Sequence, residues 1–212
     1  MQNNPLWVIK LGGSLLGSAA LPHWLSLLAK HGNGKVVIVP GGGVFADAVR
    51  QAQTLTGVSD GLAHELALLA MDQFGLLLAG MQPGLVTATS ELEIAERGWQ
   101  HQTVVWLPSQ MVLADATVEQ SWRVTSDSLS AWLANKLAAD QLLLIKSVDL
   151  SSYQQSQAAL AKALLDDGVV DACFLDGIAG QNYQTNVLNK QDYILFEQGL
   201  SVKRLQEKAR LL

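Results

Sequence analysis

Apolar positions along the chain follow two rhythms that take turns. Residues 5–10 (Pro-Leu-Trp-Val-Ile-Lys) form a short run of strand character that opens into Leu11-Gly12-Gly13-Ser14. Residues 35–40 (Lys-Val-Val-Ile-Val-Pro) form a second such run, opening into Gly41-Gly42-Gly43. Helical spacing follows each glycine turn, at residues 19–29 (Leu21, Trp24, Leu25 and Leu28 on one face) and 44–55. A breaker at residues 31–34 ends the first helix. The helix predicted over 61–80 is apolar nearly all round, with His64, Glu65, Asp72 and Gln73 as its polar exceptions. Such a helix belongs in a core or in a contact between subunits.

Strands are predicted at 85–86 and 103–106, flanking a helix over 90–96, whereas 108–119 is turn-rich and yields no assigned element. A helix over 128–138 carries Leu129, Trp132, Leu133 and Leu137 on one face. A buried strand over 141–145 has Lys146 and Asp149 at its exit. A helix over 154–165, a strand over 169–175 ending at Asp176-Gly177, and a charged helical tail over 202–212 complete the reading. Strands alternating with helices imply right-handed crossovers and an α/β fold, with a mostly parallel sheet covered on both faces. There is no repeat, low-complexity stretch or linker, so residues 1–212 read as one domain.

Composition narrows the function. Apolar residues make up 49% of the 212, enough for a substantial core. A net charge of −5 argues against a general nucleic-acid surface but not against a phosphorylated small molecule, which needs only a few local cations. One cysteine, Cys173, precludes an internal disulfide and fits a reducing compartment. With no basic-then-apolar leader and no uninterrupted apolar run that spans a bilayer, the expectation is a cytoplasmic protein without a membrane partner.

The candidate chemistry lies at the strand exits. Glycine lets backbone approach a phosphate and turn N–H groups toward it, and the helix that follows adds a positive dipole end. Two such loops side by side suit a chain of phosphates, with Lys10 bringing a full charge. Gly41-Gly-Gly-Val-Phe-Ala46 also fits a dinucleotide fingerprint, but that requires an acidic residue closing the next strand. Asp60 has the spacing, yet residues 53–60 lack strand character and Lys10-Leu-Gly12-Gly13-Ser14 would be idle. Gly34-Lys35-Val36 is not a Walker A ending, which needs Ser or Thr after the lysine. Thr125, Ser126 and Asp127 are all able to cap a helix, and that surplus leaves Asp127 free for catalysis. Lys146 and Asp149 sit at the carboxyl end of a buried strand, where α/β proteins bind ligands. His64 reads as a partnered structural histidine, and His23, His31 and His101 show no metal spacing. Cys173 reads as an inert strand residue, and the six tryptophans as core and interface.

The ordered set Lys10-x-Gly12-Gly13-Ser14, Val39-Pro40-Gly41-Gly42-Gly43, Thr125-Ser126-Asp127 and Ser147-Val148-Asp149 resembles the amino acid kinase family. The resemblance implies an α/β/α three-layer sandwich, with an acceptor-binding half over about 1–120 and an ATP-binding half over about 121–212. It also implies ATP with Mg2+, no protein-held metal, and a homodimer. By position, Lys10 would stabilise the transferred phosphoryl group and Asp127 would hold the catalytic lysines, with Lys146, from its own strand exit, as the second lysine. Gly12, Gly13 and Ser14 would meet the nucleotide phosphates, and Ser147 and Asp149 fall in the family's nucleotide segment. Gly41, Gly42 and Gly43 would lie near the acceptor. The chain departs from the family pattern at Leu150, where glycine is usual, at Val148, where Asp is usual, and in lacking a clear terminal Gly-Thr strand. The run His64-x-x-Ala-Leu-Leu-Ala-Met-Asp-Gln-Phe-Gly75 is similar to small kinases of methanofuran and tetrahydromethanopterin pathways. That similarity implies an aminomethylfuran-methyl phosphate acceptor with His64 on the substrate side, and Glu65 or Asp72 as partners for its ammonium.

Overall fold

The two apolar runs are neighbours at the centre of the sheet. In a computed structural model, which describes residues 5–153 and 156–212, β1 (Trp7–Leu11) and β2 (Val36–Pro40) pair in parallel with Lys10 beside Val39. All ten residues of the two strands are buried, as strands covered on both faces should be. On the other side of β1 lies β5 (Gln141–Lys146), also parallel, with Leu11 beside Ile145. With β3 (Leu85–Ala88), β4 (Thr103–Trp106), β6 (Gln184–Asn189) and β7 (Arg210–Leu211), the sheet order is β3-β4-β2-β1-β5-β6-β7. Among these strands of the described residues, only β7 runs antiparallel.

Two apolar clusters cover the faces of the sheet. One gathers Val8, Val37, Leu142 and Leu144 with Leu129 and Leu133 of α6 (Ser126–Lys136). The other gathers Trp7, Ile9, Leu11, Leu143 and Ile145 with Trp24 and Leu28 of α1 (Ala20–His31). The intervening helices are α2 (Gly43–Thr56), α3 (Asp60–Met81), α4 (Glu91–Trp99) and α5 (Ser109–Leu113). After β5 come α7 (Gln157–Asp166), α8 (Phe174–Ile178) and α9 (Val202–Lys208). This is the α/β/α sandwich expected.

By length and composition α3 could cross a bilayer, although Glu65 and Asp72 interrupt its apolar run. Here it packs on α2, α5, β2, β3 and β4. Asp60 opens α3 instead of closing a strand, so the dinucleotide fingerprint lacks its acidic partner.

The carboxyl-terminal third departs from expectation. Residues 169–175 form no strand. Gly168 turns the chain with φ +66°, and the N–H groups of Val169 and Val170 both donate to the Leu164 carbonyl, so the segment closes α7 and leads into α8. The strand beside β5 is β6, which the sequence reading missed. The tail is only partly helical: α9 is followed by β7, which pairs with Asn186 and Val187 of β6. The helix expected over 154–165 appears as α7, with 154–155 outside the described residues. The turn-rich 108–119 contains the short α5.

Candidate active site

Side chains alternate along a strand, so Lys10 shares its face of the sheet with Val8, and Lys146 shares its face with Leu142 and Leu144. That is the face covered by α6, and the two lysines converge on Asp127 in the first turn of that helix. Lys10 Nζ lies 3.0 Å from Asp127 Oδ1. Lys146 Nζ donates to both carboxylate oxygens, at 2.8 and 2.7 Å, and to the Val169 carbonyl at 2.6 Å. The three residues are 7, 8 and 5% exposed for Lys10, Lys146 and Asp127. Burial alone would push the Asp127 carboxyl up, but the two ammonium groups outweigh it and hold it below the usual range. Burial first, then the neighbouring Lys10 charge, brings Lys146 down to about 8 despite Asp127. With both lysines protonated the cluster carries one positive charge more than it neutralises, a standing attraction for an anion.

Asp127 is free for this role because another residue caps α6. Asp171 Oδ2 accepts from the N–H groups of Thr125 and Ser128, each at 2.9 Å, and from Thr125 Oγ1 at 2.8 Å. Thr125 stands at the N-cap without a capping bond from its own side chain, and Asp127 lies inside the helix, not ahead of it as expected. Asp171 escaped the sequence reading because it falls in the run taken for a strand and acts on a helix more than forty residues upstream.

The two glycine loops lock against each other beside this cluster. The Gly41 N–H donates to the Leu11 carbonyl at 2.9 Å. A Cβ on Gly13 would lie 2.1 Å from Gly43 Cα, and one on Gly41 would lie 2.5 Å from Gly13 N. A Cβ on Gly12 would come within 3.0 Å of Lys10 Nζ. Glycine at these positions keeps open a cradle of backbone beneath the ammonium. Ser14 Oγ meets Ser147 Oγ at 3.0 Å, joining the first loop to the exit of β5. Asp149 is exposed and folds onto its own loop, accepting from Ser151 N at 2.8 Å and Ser151 Oγ at 2.9 Å. The backbone bond, then the hydroxyl, holds its carboxyl below the usual range.

Gly42, Gly43, Gly13 and Ser14 also form one end of a cavity of about 380 Å³ enclosed by α2, α3 and the start of α6. Its walls are mostly apolar (Leu16, Ala46, Leu68, Met71, Val124, Leu129). His64 lies in the wall, buried, with Nδ1 3.3 Å from the Ser121 carbonyl oxygen. Burial depresses its pKa, against the smaller opposing effect of that bond. Arg50 lies 4.2 Å over the ring of Trp122, whose Nε1 donates to Gln53 Oε1 at 2.6 Å. Gln53 in turn donates to Asp60 at 2.8 Å, and Arg50 pairs with Asp47 at 3.3 Å. Trp122 therefore helps hold a cation in a cavity wall and is not a core tryptophan. The helical spacing Gly43, Asp47, Arg50 was the signal for this face, but nothing local pointed to Trp122. Glu65 and Asp72 do not line the cavity, and Asp72 accepts from the Ser109 N–H at 3.1 Å and from its hydroxyl. Gly41 lies beneath the loop against β1, outside the cavity wall.

The sequence model of the amino acid kinase family matches residues 5–157. The chain belongs to that family. A (5-(aminomethyl)furan-3-yl)methyl phosphate kinase of Methanocaldococcus jannaschii is 35% identical over 144 residues, 67% of this chain and 66% of that protein, just under two thirds of the relative's length. Among solved structures, the uridylate kinase of Archaeoglobus fulgidus superposes with a TM-score of 0.65 at 17% identity, covering 92% of this chain and 96% of that one. The UMP kinase of Ureaplasma parvum gives 0.64 at 18% identity, covering 87% and 89%. At such identities the structures speak for the amino acid kinase fold alone. Their coverage of this chain extends past residue 157, where the family match stops.

Proposed function

We propose that this member of the amino acid kinase family transfers the γ-phosphoryl group of ATP to the phosphate of an aminomethylfuran-methyl phosphate, giving the diphosphate and ADP. The observation that carries the kinase reading is the buried Lys10–Asp127–Lys146 cluster, with its excess positive charge, set against two interlocked glycine loops. Phosphoryl transfer needs alignment and charge stabilisation more than covalent help. An acceptor phosphate oxygen attacks the γ-phosphorus, the bond to the β-phosphate oxygen breaks, and ADP leaves with the electron pair. Lys10 and Lys146 stabilise the oxygens on which charge develops, and Asp127 fixes both ammonium groups before substrates arrive. A phosphate acceptor needs no proton removed at neutral pH, in keeping with a cluster of two cations and a carboxylate held ionised.

Gly12, Gly13, Ser14, Ser147 and Asp149 are assigned to the nucleotide, and Gly41, Gly42, Gly43 and His64 to the acceptor side. The cradle at Gly12, which a Cβ would fill, fits nucleotide phosphates beneath Lys10. Among the described residues no group of three or more His, Cys, Asp or Glu is placed to hold a metal. Mg2+ would come in with the nucleotide phosphates and would neutralise part of their charge. The acceptor assignment draws on the relative from M. jannaschii and on the cavity, whose apolar walls suit a small flat ring and whose cation, Arg50, suits a phosphate. The acceptor half, about 1–120, supplies most of this cavity, and Trp122 and Thr125 close it from the ATP half, about 121–212.

We further assign a homodimer in the cytoplasm, without nucleic-acid or membrane partners. The support is a stripe of exposed Leu62, Leu66, Leu69 and Leu76 along α3. Light scattering at micromolar concentration should give twice the chain mass, and a monomer would refute this. The activity is tested by coupled ADP release with MgATP and aminomethylfuran-methyl phosphate, UMP, acetylglutamate, aspartate or carbamate as acceptor. Turnover with the furan phosphate is expected. Turnover only with another acceptor would refute the assignment and leave a kinase, and ADP release with none would refute the kinase.

A further inference from the structure

His64 presents a hydrogen-bonding atom that the protein does not use. Its Nδ1 lies 3.3 Å from the Ser121 carbonyl oxygen, which can only accept, so the proton belongs on Nδ1. In a neutral imidazole, the form that burial favours, Nε2 then carries a lone pair. Nε2 is buried without a partner in a residue only 4% exposed. A buried acceptor left unmet is costly, so a partner arriving with a ligand is the economical explanation. Other buried side-chain atoms lack partners too, among them His31 Nε2, Gln102 Oε1 and Asn186 Nδ2, but among the described residues His64 alone of this group lines the acceptor cavity.

We propose that His64 Nε2 accepts a hydrogen bond from the ammonium group of the acceptor and thereby selects amine-bearing substrates. This rests on the acceptor reading above and adds the residue that reads the amine. The cavity then divides its work. The glycine loops and Arg50 offer donors and positive charge to the phosphate, and His64 offers a lone pair to the opposite kind of group. Asp47 is the competing acceptor for an ammonium. It is paired with Arg50 and its side chain is 74% exposed, so water screens it, whereas His64 acts from a buried position.

The test compares kcat/KM for aminomethylfuran-methyl phosphate with that for the analogue bearing methyl in place of aminomethyl, in wild type, His64→Phe, His64→Gln and Asp47→Asn. A hydrogen bond to a charged group supports a wild-type preference for the amine of about 10- to 100-fold. His64→Phe should erase that ratio, and His64→Gln, whose amide oxygen can stand near Nε2, should keep part of it. A purely structural role would lower both substrates together and leave the ratio intact, which would overturn the proposal. Loss of the ratio in Asp47→Asn but not in His64→Phe would overturn it as well. Nitrogen NMR of the full chain labelled in histidine supplies a readout that needs no variant. The Nε2 resonance of His64 should be that of an unprotonated nitrogen and should move with the amine acceptor but not with the methyl analogue. A protonated Nε2 in the free protein would refute the proposal. Wild-type turnover without preference for the amine would sink this inference alone, and no turnover of either furan phosphate would sink the acceptor reading with it.

Discussion

The charged cluster and the cavity share the same glycine loops but are built in opposite ways. In the cluster, two buried ammonium groups lie 3.0 and 2.7 Å from one buried carboxylate, and Lys146 is held by the Val169 carbonyl as well. In the cavity the walls are apolar, and the polar side chains Asp47, Arg50 and Trp122 are tied to protein partners, while His64 keeps one atom free. A cluster of fixed charges acts on a phosphoryl group whatever carries it. An apolar cavity with few polar atoms discriminates by shape and by those atoms. On the proposed reading, the first region performs the transfer and the second chooses the acceptor.

Breaking the cluster should have the largest effects. Lys10→Met removes the charge proposed to act on the transition state and should lower kcat by about 10²- to 10³-fold, or ~3–4 kcal/mol, by analogy with a lost oxyanion donor. Its fold should survive, because Asp127 keeps Lys146 as a partner at 2.7 Å. Asp127→Asn leaves two buried ammonium groups without a counter-charge, and breaking such a buried pair costs about 3–5 kcal/mol. Its Tm should fall by roughly 10 °C along with the activity. Adding Lys146→Met to Asp127→Asn should recover part of the Tm and none of the turnover, since Lys10 still lacks its counter-charge. An Asp127→Asn protein with unchanged Tm would show that the cluster is not charged as described.

The pH response separates the cluster from a merely structural ion pair. The pKa of Lys146 in the folded chain, about 8, lies below the 10.5 of an unperturbed lysine. Between those values the unfolded chain holds a proton that the folded chain has released, so this group makes the fold more stable as pH rises through that window. Activity that needs the Lys146 cation should move the other way, with kcat/KM falling above about pH 8. Bound phosphates should raise the lysine's pKa, so the corresponding fall in kcat should come at higher pH. A Lys146→Gln enzyme that keeps the same alkaline fall would take Lys146 out of the mechanism.

The smallest expected effect lies behind the cluster. Asp171→Ala strips the cap from the Thr125 and Ser128 N–H groups and should cost about 1–2 kcal/mol, or a few degrees in Tm. Turnover should change less than about tenfold, since Asp127 keeps both lysines. A collapse of activity without loss of Tm would mean that the cap sets the position of Asp127.

The legible parts of this chain were those whose cause is local. β1 and β2 are apolar apart from Lys10 and open into glycine turns in which Gly13 and Gly41 have no room for a side chain, so both the strands and the loops could be read directly. β6 was hidden because Thr185 and Asn186 are polar yet buried, which breaks the pattern of a central strand. Residues 169–175 were misread because Val169 and Val170 look like a strand, whereas their backbone bonds go to the end of α7 and Val170 fills the core beside it. The Arg50–Trp122 wall and the Asp171 cap join residues far apart in sequence, and only the fold brings them together. Asp127 was recognised, and its freedom from capping was expected from the surplus of Thr125 and Ser126, but the residue that takes the capping duty is the distant Asp171.

The central claim is that the cluster drives transfer from ATP onto a phosphate already present on the acceptor. Phosphorus NMR of a reaction containing MgATP, aminomethylfuran-methyl phosphate and the full chain tests it directly. The account predicts that the single monoester resonance gives way to the two coupled resonances of a diphosphate, in step with ADP formation. Release of inorganic phosphate with the monoester resonance unchanged would contradict it.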